Sequence, residues 1–156
     1  MELPGPVRVG DKAPDFTLLG PGGQTISLHG YAGSKNVVIY FYPKDFTAGC
    51  TTETKAFGES YDDILKMGAE IIGISSDSAE SHGSFARECG TKFPLLADEG
   101  GKVREAYGAK SSFGMIPGRV TFVVDKNGVV RHVFSSQLRP RQHISEAIEA
   151  LKAISD

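Results

Sequence analysis

The stretch Val37-Val-Ile-Tyr-Phe-Tyr-Pro-Lys-Asp-Phe-Thr-Ala-Gly-Cys50 decides the fold class of this chain. Its first five residues form an apolar run of the length that is typical of a buried strand. A polar segment with one proline and one glycine follows, which indicates a turn. Phe57, Tyr61 and Ile64 then recur at helical spacing, so Cys50 is expected to open a helix. A strand, a turn and a helix in this order predict an α/β protein.

The position of Cys50 favours a reactive thiol. The first turn of a helix offers unpaired backbone N–H groups and the positive end of the helix dipole, and both favour the thiolate. Such sites lower the pKa of a cysteine from about 8.5 to between about 3.5 and 7.5. The alternative is a small buried apolar side chain, which is what a free cysteine usually is. The polar turn that precedes Cys50 favours the reactive thiol.

The remaining segments alternate between strands and helices. No repeat, low-complexity tract or linker divides them, so residues 1–156 are expected to form a single domain. Alternating residues on either side of Gly20–Gly23 predict an N-terminal β-hairpin, and Asp125–Gly128 predicts a second hairpin turn. Further strands are expected at 70–75, 94–97, 120–124 and 129–134, and further helices at 79–89, 102–107 and after Pro140.

This order of elements predicts a mixed central sheet flanked by helices. Strands separated by helices imply right-handed parallel crossovers, whereas the two hairpins add antiparallel strands. The pattern by itself does not separate the possible α/β sandwiches from one another.

Composition excludes several classes of function. The chain has 156 residues, of which 40% are hydrophobic and 23% charged, and a net charge of −2, so no nucleic-acid or membrane binding is expected. The N-terminal residues have neither the basic region nor the apolar core of a signal peptide. Two distant cysteines have no zinc-ligand spacing and predict a reducing compartment, with the cytoplasm as the default; a removed targeting segment is compatible with this.

Pro43, Thr47 and Cys50 together spell Pro-x-x-x-Thr-x-x-Cys, which resembles the active-site signature of the peroxiredoxins, the thiol peroxidases. The flanking residues are most similar to the bacterioferritin-comigratory-protein or peroxiredoxin Q branch. The likeness extends over nearly the whole chain, because four further segments fall in the order of the family: 10–18, 73–77, 93–98 and 119–122. The resemblance implies a thioredoxin-like fold with an N-terminal β-hairpin extension.

The resemblance also implies roles for individual residues. Cys50 corresponds to the peroxidatic cysteine, Thr47 and Arg119 to the pair that activates peroxide, and Pro43 to the residue that shields the pocket. Two positions depart from the branch: Ala48 stands where proline is usual, and Lys55 stands where many members have their resolving cysteine. The disulfide that is common in this branch therefore cannot form here.

Each role has a simpler alternative. Arg119 can stabilise the thiolate and the charge on the departing oxygen, or it can be a solvated arginine at a sheet edge. Thr47 can cap the helix as well as bind peroxide. Glu53 can hold Arg119 in place or simply complement the helix dipole. Tyr42 is expected to pack or to line the pocket, and Phe46 has no assigned role.

Cys89 is the sole intrachain candidate for resolving an oxidised Cys50. Some members of the branch have a resolving cysteine at this place in the fold, and the alternative is a partly buried structural cysteine. A disulfide requires Cα atoms within about 7 Å, so both helix ends are expected to unwind locally before the bond forms. The histidines His29, His82, His132 and His143 have no metal spacing and are expected at the surface.

The leading hypothesis is therefore a peroxidase that reduces hydrogen peroxide and organic hydroperoxides. Thioredoxin or glutaredoxin is the expected reductant, no metal, haem or flavin is needed, and the protein is expected to be a monomer or a weak homodimer. One alternative is a one-cysteine peroxidase that is recycled by an external thiol. Another is a thiol–disulfide oxidoreductase, although the Cys-x-x-Cys motif of that class is absent. A redox sensor that forms mixed disulfides is the third.

Overall fold

The computed structural model describes residues 7–20, 22–42, 45, 48–108, 119–135 and 141–154, with residues 48–50 described as helix but not as side chains. Seven strands lie within these ranges: β1 (Thr17–Leu19), β2 (Thr25–Ser27), β3 (Asn36–Phe41), β4 (Ala69–Ser75), β5 (Leu95–Ala97), β6 (Val120–Val124) and β7 (Val130–Ser135). The same ranges contain four α-helices: α1 (Ala48–Lys66), α2 (Ala79–Cys89), α3 (Lys102–Tyr107) and α4 (Gln142–Ile154). A 3-10 turn spans Leu28–Tyr31.

The strands form one mixed sheet in the order β2-β1-β5-β4-β3-β6-β7. The central strands β3, β4 and β5 are parallel, whereas β6, β7 and the N-terminal hairpin pair antiparallel. All residues of β3 and β4 are buried, because helices or loops cover both faces of the sheet. This explains why these strands read as continuous apolar runs rather than as alternating patterns.

The two faces of the sheet carry separate cores. On one face, helices α1, α2 and α4 pack against Tyr40, Ile71 and Val123. On the other face, Tyr107 from α3 packs with Phe16 and Leu28 from the N-terminal segments. The predicted mixed sheet with helices on both sides is confirmed.

Local signals in the sequence mark the ends of several elements correctly. Helix α2 starts after Ser78, whose side chain accepts a hydrogen bond from Ser81 N at 3.1 Å, and it ends at Gly90 in the left-handed region with φ of 68°. Helix α1 begins at Ala48, so Cys50 lies within the first turn rather than at its opening residue.

The expectation that all four histidines lie at the surface is wrong for two of them. His82 on α2 and His143 on α4 are fully buried, whereas the His29 side chain is largely exposed. Both buried rings have polar partners, Asp45 and Thr121 respectively, and these contacts offset the free-energy cost of burying a polar ring.

Candidate active site

Strand pairing places Arg119 near the C-terminal end of β3, where the chain continues into the segment that leads to Cys50. Val120, the first residue of β6, pairs with Phe41, the last residue of β3. Arg119 directly precedes β6 and therefore lies beside the start of that segment. Helix α1, with Cys50 in its first turn, begins at the same edge of the sheet.

Arg119 is hydrogen-bonded to Glu53, one turn after Cys50. Arg119 Nη1 donates to Glu53 Oε1 at 2.7 Å, and the side chains are 5% and 0% exposed. The contact that we predicted between these residues is present, and the alternative of a solvated arginine is wrong. The pair ties the guanidinium to the helix turn that contains the candidate nucleophile.

Burial and the neighbouring charge of Arg119 shift the pKa of Glu53 in opposite directions. Loss of hydration raises the pKa of Glu53 to about 8, while the Arg119 guanidinium opposes that rise. The guanidinium that this contact holds in place is suited to stabilise a thiolate or a departing oxygen anion.

His143 completes this buried group, and sequence reasoning missed it. Its Nδ1 lies 2.7 Å from Thr121 Oγ1 on β6 and 3.5 Å from Glu53 Oε2. Its ring makes an edge contact with Phe134, with 4.7 Å between the ring centroids. The one signal in the sequence was spacing: His143 stands four residues before Ala147, on the buried side of a predicted helix.

A second buried polar network contains Asp45, on the segment that joins β3 to α1. Tyr42 Oη donates to Asp45 Oδ1 at 2.6 Å, and His82 Nδ1 lies 3.0 Å from the same oxygen. The Tyr42 ring stacks on Tyr40 with centroids 5.4 Å apart. Tyr42 thus packs, as one of its two alternatives predicted, and its hydroxyl also serves this network. Neither Asp45 nor His82 stood out in the sequence.

Cys89 is the last residue of α2, and its thiol is free and half-buried. Burial raises the pKa of the Cys89 thiol, and the positive charge of Lys55 on α1 opposes that rise. Lys55 occupies the position at which relatives in this branch were expected to have a cysteine. Lys55 and Cys89 therefore interact electrostatically where α1 packs against α2.

Other predicted site residues fall where the structure gives no description. Pro43, Phe46 and Thr47 lie outside the described residues, and so does the side chain of Cys50. Their roles stay predictions. Within the described part of the chain, no three metal-ligating side chains come together. None of the helices described above combines the length and apolarity that crossing a bilayer requires.

The fold and this site define a class, the thiol peroxidases with a thioredoxin-like fold. Residues 9–133 match the AhpC/TSA family, and the chain belongs to this family. Peroxiredoxin Q of Sedum lineare, described as chloroplastic, is 48% identical over 149 residues, which cover 95% of this chain and 80% of the relative. The Arabidopsis thaliana chloroplastic peroxiredoxin Q is 49% identical over 148 residues, covering 94% and 68% of the two chains.

Comparison with solved structures also supports membership of this family. The peroxidoxin BcpB of Mycobacterium tuberculosis superposes with a TM-score of 0.87 at 32% identity, covering 95% of this chain and 98% of the other. The bacterioferritin comigratory protein of Xanthomonas campestris superposes with a TM-score of 0.83 at 31% identity, covering 96% and 98%. The chain is thus a peroxiredoxin of the Q branch, an oxidoreductase that reduces peroxides at the expense of a thiol reductant.

Proposed function

We propose that Cys50 is the peroxidatic nucleophile of this peroxidase and that Arg119, held by Glu53, stabilises the charge that moves during the reaction. The observation that carries this proposal is the buried Arg119–Glu53 contact of 2.7 Å, which fixes a cation beside the helix turn that contains Cys50. A helix N-terminus and a fixed guanidinium both favour the thiolate. Thr47 and Pro43 complete the site as peroxide ligand and pocket wall.

The first step is a displacement at oxygen. The Cys50 thiolate attacks the distal peroxide oxygen, so that an S–O bond forms and the O–O bond breaks. The electron pair leaves with the other oxygen, and the resulting hydroxide or alkoxide takes up a proton to give water or an alcohol. Sulfur is thereby oxidised to a sulfenic acid, and the peroxide is reduced.

In the second step, we propose that Cys89 resolves the sulfenic acid. Its thiolate attacks the Cys50 sulfur, an S–S bond forms, the S–O bond breaks, and the released hydroxide becomes water. The Cys50 turn and the last turn of α2 before Gly90 open for this step, because helix ends unfold at low cost in free energy. An external dithiol, of the thioredoxin or glutaredoxin type, then reduces the disulfide.

The substrate range, assembly and location are further parts of this proposal. We propose hydrogen peroxide and organic hydroperoxides as substrates, in line with the alkyl peroxide reduction activity described for the Xanthomonas campestris protein. We propose a monomer or weak homodimer in a reducing compartment such as the cytoplasm, where a thiol reductant can recycle both cysteines. Sedimentation over a range of concentrations tests the assembly.

A pair of cysteine variants tests the two assigned roles. Cys50→Ser is expected to abolish peroxide consumption in a reductase-coupled assay, whereas Cys89→Ser keeps the first turnover and loses recycling by thioredoxin. Peroxide consumption that survives Cys50→Ser contradicts the assignment of the nucleophile.

Mass spectrometry under non-reducing conditions decides between two recycling schemes. After one equivalent of peroxide, the intrachain route predicts the loss of two hydrogens and a peptide in which Cys50 and Cys89 are linked. A gain of one oxygen, with Cys89 still open to alkylation, instead identifies a one-cysteine enzyme that is recycled by an external thiol.

A further inference from the structure

Asp45 is an acidic residue that the proposed reaction does not use, yet it is only 3% exposed. It lies on the segment between β3 and α1, between the predicted site residues Pro43 and Thr47. Charged side chains are rarely buried to this extent unless they are paired. The contacts that hold Asp45 therefore bear on the geometry of the site residues on either side of it.

The partners of the Asp45 carboxylate come from the end of β3 and from helix α2. Its Oδ1 accepts from Tyr42 Oη at 2.6 Å, and its Oδ2 accepts from Ser81 Oγ at 2.8 Å. His82 Nδ1 lies 3.0 Å from Oδ1 and 2.8 Å from Oδ2. We call Asp45, Ser81 and His82 the loop clamp. It joins the segment before Cys50 to the first turns of α2.

The backbone of Asp45 is held by the same part of the fold. Its N–H donates to Asp77 Oδ2 at 2.8 Å, and that oxygen also accepts from Ser75 Oγ at 2.6 Å. Ser75 ends β4, and Asp77 lies between β4 and α2. The main chain of Asp45 is thus fixed to the β4–α2 connection and its side chain to α2. The described contacts of its carboxylate include none to α1, the helix that contains Cys50.

The chemistry of the clamp makes His82 a hydrogen-bond donor. Carboxylate oxygens accept hydrogen bonds, and we therefore take His82 Nδ1 as the donor in this contact. His82 Nε2 is buried and has no hydrogen-bond partner among the described residues. Losing the His82 contact would leave the buried Asp45 carboxylate with one donor fewer.

We propose that Asp45 and His82 are positioning residues for peroxide reduction, because the loop clamp fixes Asp45, which stands in the sequence between the predicted site residues Pro43 and Thr47. This inference rests on the proposed function of Cys50. The position of the catalytic groups matters because a displacement of about 1 Å can lower the reaction rate about a hundredfold. In this proposal the clamp serves Thr47, the peroxide ligand, and Pro43, the pocket wall, rather than the thiol itself.

Two nearly isosteric variants of His82 separate the donor from the ring. His82→Asn keeps an N–H near the position of Nδ1, whereas His82→Leu removes it. Both are made in a Cys89→Ser background, so that Cys50 alone reacts. We compare the rate of Cys50 oxidation by hydrogen peroxide with its rate of alkylation by iodoacetamide. Unfolding exposes Cys50 to iodoacetamide and removes only its fast reaction with peroxide, so circular dichroism and urea unfolding first establish that each variant is folded. In folded protein, a misplaced peroxide ligand lowers the peroxide rate while the alkylation rate stays at the parent value.

The expected result is a drop of at least about tenfold in the peroxide-to-iodoacetamide ratio for His82→Leu. His82→Asn is expected to stay within about threefold of its parent, because the hydrogen bond is kept. His29→Leu is the matched control. His29 Nδ1 also lies 2.6 Å from an aspartate, Asp15, but that pair is exposed and belongs to the cavity at the start of β3, the opposite end from Tyr42.

The proposal is overturned if His82→Leu is folded and keeps the parent ratio, or if His82→Asn loses as much as His82→Leu. If His82→Leu does not fold, Ser81→Ala removes one donor from Asp45 with a smaller change, and an unchanged ratio in that variant overturns the proposal equally. A parent protein that shows no rapid oxidation by peroxide instead contradicts the proposed function, so the two failures are distinguishable.

Discussion

At the scale of single residues, the site is defined by charged groups that the fold has removed from water. Arg119 and Glu53 contact each other at 2.7 Å across 66 positions of sequence. Both were predicted as site residues, because the family motif and the helix turn after Cys50 point to them. Asp45, His82 and His143 were missed. Their hydrogen bonds join distant elements, and no local pattern marks a loop aspartate as buried. For His143, the helical spacing before Ala147 was the one local signal, and it says nothing of the polar partners.

Arg119→Ala is expected to slow the oxidation of Cys50 by peroxide by about a hundredfold, the scale of losing one donor to a developing oxyanion. Removing this buried arginine also costs stability, since Glu53 loses its partner. Stopped-flow oxidation on protein shown to be folded by circular dichroism measures the rate. Arg131→Ala, at an arginine whose side chain is 48% exposed, is the control. An unchanged rate in Arg119→Ala contradicts the role of Arg119.

Glu53→Gln is expected to change the pH dependence of stability. Between pH 4.5 and about pH 8, the Glu53 carboxyl is expected to stay protonated in the folded protein, whereas it has lost its proton in the unfolded chain. The stabilisation from this group is full below pH 4.5 and is lost as the pH rises through 8. The parent's free energy of unfolding, relative to Glu53→Gln, should therefore fall with pH, by up to about 1.4 kcal/mol per pH unit.

Urea unfolding of both proteins at several pH values measures this difference. Glu59→Gln changes a largely exposed glutamate on the same helix and should show no such trend. A difference between parent and Glu53→Gln that does not vary with pH means that Glu53 is ionised in the folded protein throughout.

At the scale of elements, the helix ends decide how the two cysteines are presented. The bounds of α2 and α3 agree with prediction, because each helix is followed by a glycine with positive φ, Gly90 and Gly108. The start of α1 was predicted two residues late, since nothing in Thr47-Ala-Gly-Cys50 marks which residue first adopts helical geometry. The proximity of Lys55 to Cys89 was also beyond prediction, because it depends on how α1 and α2 pack.

Lys55→Met is expected to slow closure of the Cys50–Cys89 disulfide near neutral pH by about two- to fivefold, the scale of one exposed charge interaction. Burial raises the pKa of the Cys89 thiol and Lys55 opposes this, so losing the lysine leaves less thiolate to attack. Closure should also accelerate with rising pH in the parent. Quenched-flow alkylation follows the reaction, with Lys66→Met on the same helix as control. Equal rates in Lys55→Met and the parent would count against this account.

At the scale of the whole molecule, the sheet is the part that sequence predicted best. Runs such as Val37–Phe41 are apolar throughout because both faces of the sheet are covered, and that pattern predicted buried strands. The alternation of strands and helices predicted that the central strands are parallel. The order of the strands could not be predicted in this way, because it depends on tertiary packing. Strand β5 lies between β1 and β4, a placement that no local signal specifies. The family resemblance supplied the fold to which that order belongs.

Two glycine variants test the packing of this core. A Cβ on Gly73 would lie 2.6 Å from Leu95 Cδ2 and 2.7 Å from Tyr40 Cζ, so Gly73→Ala should destabilise the protein by about 1–3 kcal/mol. Gly58, within helix α1, has its nearest such neighbour at 3.7 Å, so Gly58→Ala should stabilise by up to about 1 kcal/mol. Urea unfolding measures both, and equal effects of the same sign would contradict this packing.

The central claim is that the fold turns Cys50 into a peroxide-specific nucleophile, and single-turnover stopped-flow oxidation tests it most directly. The reduced protein is mixed with hydrogen peroxide, and its second-order rate constant is compared with that of free cysteine thiolate under the same conditions. We expect the protein to react at least about a hundredfold faster, since a fixed cation and oriented donors act on the departing oxygen. A rate no faster than that of free cysteine thiolate would contradict the claim.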